Sequence, residues 1–203
     1  MKKTVLSLMM LLLVFTAANA QNSLQARKIL DKTASVVGSK NGARANFTIS
    51  SSKYGNTSGS IAIKGNKFYA NTPKAIVWFN GKTQWSYMHS TNEVSISNPN
   101  EAKQMSMNPY KFITMYRNGY DMSMTSKGSN YITHLVAQNS KRSVQELYIT
   151  ISKSSYKPSQ VKMRQDKVWT TIDISNFANK NISDDSFVFN AKEFPSAEVV
   201  DLR

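Results

Sequence analysis

The chain has 203 residues, no Cys, and 26 Lys and Arg against 12 Asp and Glu, for a net charge of +14. The lack of Cys excludes disulfides, thiol catalysis and thiolate metal sites, so burial alone must hold the fold. The positive excess favours an anionic surface or partner, or else is spread over an evenly solvated surface.

Lys2 and Lys3 precede a run from Thr4 to Ala17 that is almost wholly apolar, and Ala18-Asn19-Ala20 follows. A basic start, an apolar run and a small-x-small site predict an export signal covering residues 1–20, cut after Ala20. The run is too short for the roughly 20 apolar residues a membrane span needs. No Cys follows it to accept a lipid, so residues 21–203 are expected to form one unanchored domain in the periplasm. An exported protein meets little nucleic acid, and none is expected as a partner.

Asn22 to Val37 reads as an amphipathic helix. Asn22 and Gln25 offer a capping box, Ala26, Leu30, Ala34 and Val37 share a stripe, and Gly38 is a stop. From Ala45 the pattern alternates. Short strands are predicted over Ala45–Ser51, Ser60–Lys64, Lys67–Asn71, Ala75–Phe79, Thr83–His89 and Glu93–Ser97. Asn80-Gly81 marks a tight hairpin, because both residues tolerate positive φ. Asn108-Pro109 then opens a short helix over Tyr110–Arg117, closed by Asn118-Gly119. Strands resume over Asp121–Ser126, Tyr131–Ala137, Val144–Ser152, Gln160–Arg164, Val168–Ser175 and Phe187–Phe189. The layout predicts an α+β domain dominated by one large antiparallel sheet. A sheet of this length must curl or close; curled, with a helix over its concave face, it makes a lidded cavity.

No motif for catalysis stands out. HExxH, GxSxG and P-loop patterns are missing, and the two His, His89 and His134, lie in separate strands. Asp184-Asp185 is the only adjacent acid pair. A hydrolase built on His89, His134, Asp184 or Asp185 has no positive support, so no enzyme, cofactor or metal is expected. The apolar inventory says more. Five of the ten Met fall in one window: Met105, Met107, Met115, Met122 and Met124. Such flexible side chains suit a surface that accepts varied apolar partners, or a Met-rich core. Trp78, Trp85 and Trp169, with Tyr87, add large apolar surface in strands.

The run Gly59 to Phe68, then Ile76-Val-Trp-Phe-Asn-Gly-Lys-Thr-Gln-Trp-Ser-Tyr87, then Glu93 to Ser97, resembles the outer-membrane lipoprotein carrier family (LolA). Asn108 to Phe112 resembles that family's inserted helix. Phe187-Val-Phe189 and the tail Val199 to Arg203 resemble its final strand and terminus. The resemblance implies a curved antiparallel sheet forming an unclosed half β-barrel with a helical lid, and a periplasmic carrier that takes the acyl chains of lipoproteins. It would receive them from an inner-membrane ABC transporter and deliver them to an outer-membrane acceptor, acting as a monomer without a cofactor. The alternative within binding is a carrier or sensor of glycolipid or another lipid.

The acyl cavity implied has Met105, Met107, Phe112, Ile113, Met115 and Tyr116 on the lid side. Trp78, Trp85 and Tyr87 are expected on the sheet side, with Met163 and Trp169. Many family members carry an Arg latch after the Lys of the strand before the hairpin. Here Gly65 follows Lys64, and Lys67 is the nearby substitute.

Overall fold

A computed structural model describes the backbone of residues 2–53, 55–100, 103–104 and 109–203, with side chains from residue 20 onward in those ranges except Pro109. The first helix, α1, runs over Lys2–Val37 without a break at the predicted cleavage site. No Gly or Pro separates Ala17 from Asn22, so nothing in the sequence ends a helix there. Asn22 is therefore not a cap. Its side chain extends the sheet instead: Nδ2 donates to the Met124 carbonyl at 3.1 Å, and Oδ1 accepts from the Met124 N–H at 2.7 Å. It thereby satisfies one repeat of an edge strand's open hydrogen bonds.

The predicted stripe does face the core. Ala26, Leu30, Ala34 and Val37 are all buried. Gly38 ends the helix with its N–H on the Ala34 carbonyl at 2.8 Å. A Cβ there would lie 2.4 Å from the Tyr110 ring, so glycine also lets the second helix close in.

Twelve strands form one sheet: β1 Ala43–Ser51, β2 Gly55–Lys64, β3 Lys67–Asn71, β4 Ala75–Phe79, β5 Gln84–Met88, β6 Glu93–Ser97, β7 Tyr120–Lys127, β8 Asn130–Ala137, β9 Glu146–Ser152, β10 Pro158–Gln165, β11 Val168–Asn179 and β12 Glu198–Asp201. Their order is β12-β6-β5-β4-β3-β2-β1-β11-β10-β9-β8-β7, unclosed at β12 and β7. The first six strands and the next five are antiparallel meanders, as the alternation predicts. Helix α2, Pro109–Thr114, and a 3-10 turn over Met115–Arg117 occupy the predicted inserted helix. Its expected cap, Asn108, lies outside the described residues.

Three expectations change. Only Gly81 takes positive φ in the Asn80-Gly81 turn, at 100°. Asn80 works through its side chain, whose Oδ1 accepts from the N–H groups of Lys82 at 3.0 Å and Thr83 at 2.9 Å. Phe187–Phe189 is not a strand. Phe187 closes a 3-10 turn over Asp184–Phe187, started by Ser183, whose Oγ accepts from the Asp185 N–H. The final strand, β12, runs parallel to β6, which the meander pattern did not foretell.

The two meanders join where β1 pairs β11 antiparallel, from Ala43↔Asn179 to Ser51↔Thr170. The inner face then reads as continuous rows across the seam. Met122, Leu135, Leu147, Met163, Thr170 and Ser51 are successive partners. Helix α1 covers this face at its β7 end, where Leu30 belongs to the same buried cluster as Leu135, Leu147 and Ile149, all wholly buried. Leu30→Ala should therefore cost about 2–5 kcal/mol. A urea denaturation midpoint within error of the wild type would contradict that packing.

Candidate functional site

Beyond the reach of α1 the inner face stays open beneath α2. A cavity of about 610 Å³ lies there, lined mainly by apolar side chains. Its floor comes from the seam: Phe47 and Ile49 of β1, Ile61 and Ile63 of β2, Val161 and Met163 of β10, Ile172 and Ile174 of β11. Its roof is Phe112 and Ile113 of α2, with Val37 at the end of α1. The volume is in the ordinary range for a small-ligand site. Gly59 shapes the floor, since a Cβ there would lie 2.8 Å from the Phe47 ring that lies across it.

Of the residues predicted for the site, the structure brings three to the cavity: Phe112, Ile113 and Met163. Met115 and Tyr116 follow the lid into the core, with 6% and 1% exposure. The Tyr116 hydroxyl hydrogen-bonds Asp31 of α1, and burial together with that bond raises its pKa. These two residues fasten the lid and do not line the chamber. Met122 and Met124 also enter the α1-covered core, so the described part of the Met window is core. Met105 and Met107 lie outside the described residues.

The predicted sheet-side aromatics face the other way. Ile61 and Ile63 point inward, so Ala62 points outward. Register carries that outward parity through Tyr69, Trp78 and Trp85, and through Ile76 to Tyr87. Trp78, Trp85 and Tyr87 therefore lie on the outer face. Trp169 is outward too, opposite Arg164, because its neighbour Thr170 pairs with the inward Met163. The cavity residues missed in the sequence include Phe47, Ile49, Ile172 and Ile174. Their alternation was visible. Their common destination depended on the β1–β11 pairing, which no local pattern encodes.

A C-terminal strap over residues 180–203 roofs the outer aromatics. Trp78 meets Phe189 and Phe194 edge-on, at centroid distances of 5.5 and 5.6 Å, and Tyr87 meets Phe194 at 4.7 Å. A mixed cleft of about 920 Å³ remains between strap and sheet. Lys64 and Lys67, beside the position expected to hold a lid latch, face this strap. Both bind Asp184, at 2.9 and 2.8 Å, and Lys64 also donates to the Ile182 carbonyl at 2.9 Å. Gly65 between them adopts φ 58° in the hairpin turn. The pair latches the strap, not the lid.

The arrangement defines a class: an open half-barrel whose inner face holds a roofed apolar chamber. Residues 16–167 match the family described as outer membrane lipoprotein carrier protein LolA, and the chain belongs to that family. No curated protein sequence matches it. A crystal structure of an uncharacterized conserved protein from Thermus thermophilus is similar at 14% identity and TM-score 0.61, covering 87% of this chain and 99% of that one. A MucB structure is similar at 10% identity and TM-score 0.50, over 83% of this chain and 64% of that one. A LolA superfamily protein from Nitrosomonas europaea shares 10% identity at TM-score 0.46, over 81% and 97%.

The strap latch has a pH signature. Hydrogen bonds from Lys67 and Lys64 pull Asp184 from its usual 3.8 to about 2. A depressed carboxylate pKa stabilises the fold above the unfolded value, and that contribution is lost as pH falls through the folded one. The strap should therefore stay latched above about pH 4 and loosen towards pH 2. Asp184→Asn should reproduce the loosening at neutral pH. The readout is faster exchange of the Glu198 and Leu202 amides, which donate to Asn92 and Ile96 of the β6 edge. Unchanged exchange in the variant would show that the aromatic packing alone holds the strap.

Proposed function

We propose that the protein is a periplasmic carrier that takes lipoprotein acyl chains from the inner membrane to the outer membrane. In this reading residues 1–20 are a cleaved export signal, and the carrier works as a monomer. It receives cargo from an ABC transporter and surrenders it to an outer-membrane acceptor. The observation that carries the proposal is the apolar chamber between the β1–β11 seam and α2. Family membership supports the choice of cargo.

The energetics suit the task. Three acyl chains carry on the order of 40 methylenes, so leaving a bilayer unaided costs roughly 30 kcal/mol at about 0.8 kcal/mol each. A soluble carrier must offset most of that and still release. A chamber with no charged lining side chain among the described residues supplies burial without any specific bond to break.

The chamber's size favours a second reading. At about 30 Å³ for a water-sized group, close to a methylene, a chamber of about 610 Å³ holds roughly twenty methylenes. One chain fills it, which suits a glycolipid or another lipid as well as part of a triacylated anchor. Mass spectrometry of lipid co-purified with the exported protein separates the two. Triacylated peptide is the expected result, and glycolipid alone would select the second reading. Depletion of the protein should strand outer-membrane lipoproteins in the inner membrane.

Substitution tests the chamber itself. Ile174→Asp and Phe112→Asp place a charge in the floor and in the roof. Each should lower affinity for a fluorescent fatty-acid analogue at least a hundredfold, since an unpaired charge tolerates no apolar neighbour. Both variants should keep a native circular dichroism spectrum, because both side chains are only partly buried. Full binding by both would remove the chamber from the mechanism.

A further inference from the structure

The outer face carries an aromatic row in each half of the sheet, and only one row is covered. Tyr69, Trp78 and Tyr87 lie beneath the strap. On the other half, His134 of β8 stacks on Tyr148 of β9 at 4.2 Å with planes 3° apart, and Tyr148 leads to Trp169 of β11 at 6.1 Å. No segment of the described chain roofs this second row, and its three rings are all partly exposed.

The row is rigid and flanked by cations. Glu146 accepts from His134 and from the Tyr148 hydroxyl, each at 2.9 Å, and pairs with Arg164 at 3.0 Å. One carboxylate thus fixes two rings and a guanidinium. The Lys162 ammonium lies 4.9 Å from the Trp169 ring centroid, and the Arg164 guanidinium 5.9 Å. Lys162 is exposed on the strand face. Lys141 and Lys167 are exposed in the loops that bound the same end of the sheet. On the face itself Lys162 and Arg164 stand with Glu146 and, farther along β11, Asp173, which accepts from Gln160; Lys141 and Lys167 add positive charge at the loop end, beside Asp166.

We propose that this outer face of β8–β11 is a docking surface for an anionic phospholipid bilayer, separate from the acyl chamber. Two features choose a membrane over an acidic protein. Tyr and Trp rings with a polar tip, set among Lys, are the side chains that settle at the headgroup level of a bilayer. The row also lies across adjacent strands of a sheet, and neither cavity described above includes any of its side chains. A protein hot spot is by contrast a desolvated pocket. Positive charge supplies attraction to anionic headgroups, and the amphipathic rings supply shallow insertion. Surface docking of this kind is reversible, with each Lys worth about a fivefold change in affinity.

The test is sedimentation of the exported protein with vesicles of phosphatidylglycerol mixed with phosphatidylcholine, compared with vesicles of phosphatidylcholine alone. Binding should need the anionic lipid, fall with added salt, and bring a blue shift in fluorescence that is lost in Trp169→Phe. Lys162→Ala should weaken binding about fivefold, and Lys162→Glu further. Both alter an exposed side chain and leave the fold intact by circular dichroism. Ile174→Asp, which disables the chamber, should still bind vesicles, so failure of the carrier reading and failure of docking are distinguishable. Equal binding to both vesicle types, or undiminished binding by Lys162→Glu, would overturn the proposal. Capture of an acidic protein without vesicle binding would overturn it too, in favour of a protein partner.

Discussion

The pairing of β1 with β11 is the interaction on which the rest depends. It joins two local meanders into one sheet and brings residues more than a hundred positions apart into register. Without it each half would present an unpaired edge and an apolar face too small to enclose anything. The register shift between Arg44 and Asn46 falls on the β11 side at Asn176, whose φ is 53°. Such a bulge bends a strand and increases local twist. The apolar chamber sits on this seam, and its floor is drawn from the two joined strands and their immediate neighbours.

Two coverings then divide the sheet's faces. Helix α1 buries the inner face at the β7 end and leaves the seam to α2. The strap buries the outer face at the β4–β6 end and leaves β8–β11 to solvent. Each covering is placed by a few polar contacts that tolerate no alternative register. Asn22 reads the β7 edge, Asp31 holds Tyr116 below α2, and Asp184 gathers Lys64 and Lys67. Apolar burial provides the bulk of the stabilisation, and these contacts decide where it is spent.

The sequence showed most of the strands and the apolar stripe of α1, because both are local periodicities. It showed the class of the fold through the order of its motifs. It did not show which face of a strand looks inward, because that parity is set by what covers the sheet. Trp78, Trp85, Tyr87 and Trp169 are large and apolar, so a chamber was a natural expectation for them. The strap, read as a strand at Phe187–Phe189, was the element that could have claimed Trp78 and Tyr87. The latch illustrates the same limit. Lys64 and Lys67 invited a partner on the lid, but both belong to outward positions of β2 and β3, and only an outer element could reach them.

The division of faces also bears on transfer. Under the proposed carrier role, a chamber of about 610 Å³ takes one acyl chain, and the rest of a triacylated anchor lies outside it. The described part of α2, Pro109–Thr114, lies close to α1, with the Tyr110 ring against Gly38 and Ile113 buried. The turn that follows it is tied to α1 through Tyr116 on Asp31, while Phe112 and Ile113 line the chamber. Burial of an acyl chain against Phe112, Ile113 and the floor is non-directional. In the proposed role, cargo held this way leaves without a specific bond to break, and that weakness of any single contact is what would let a carrier release its load.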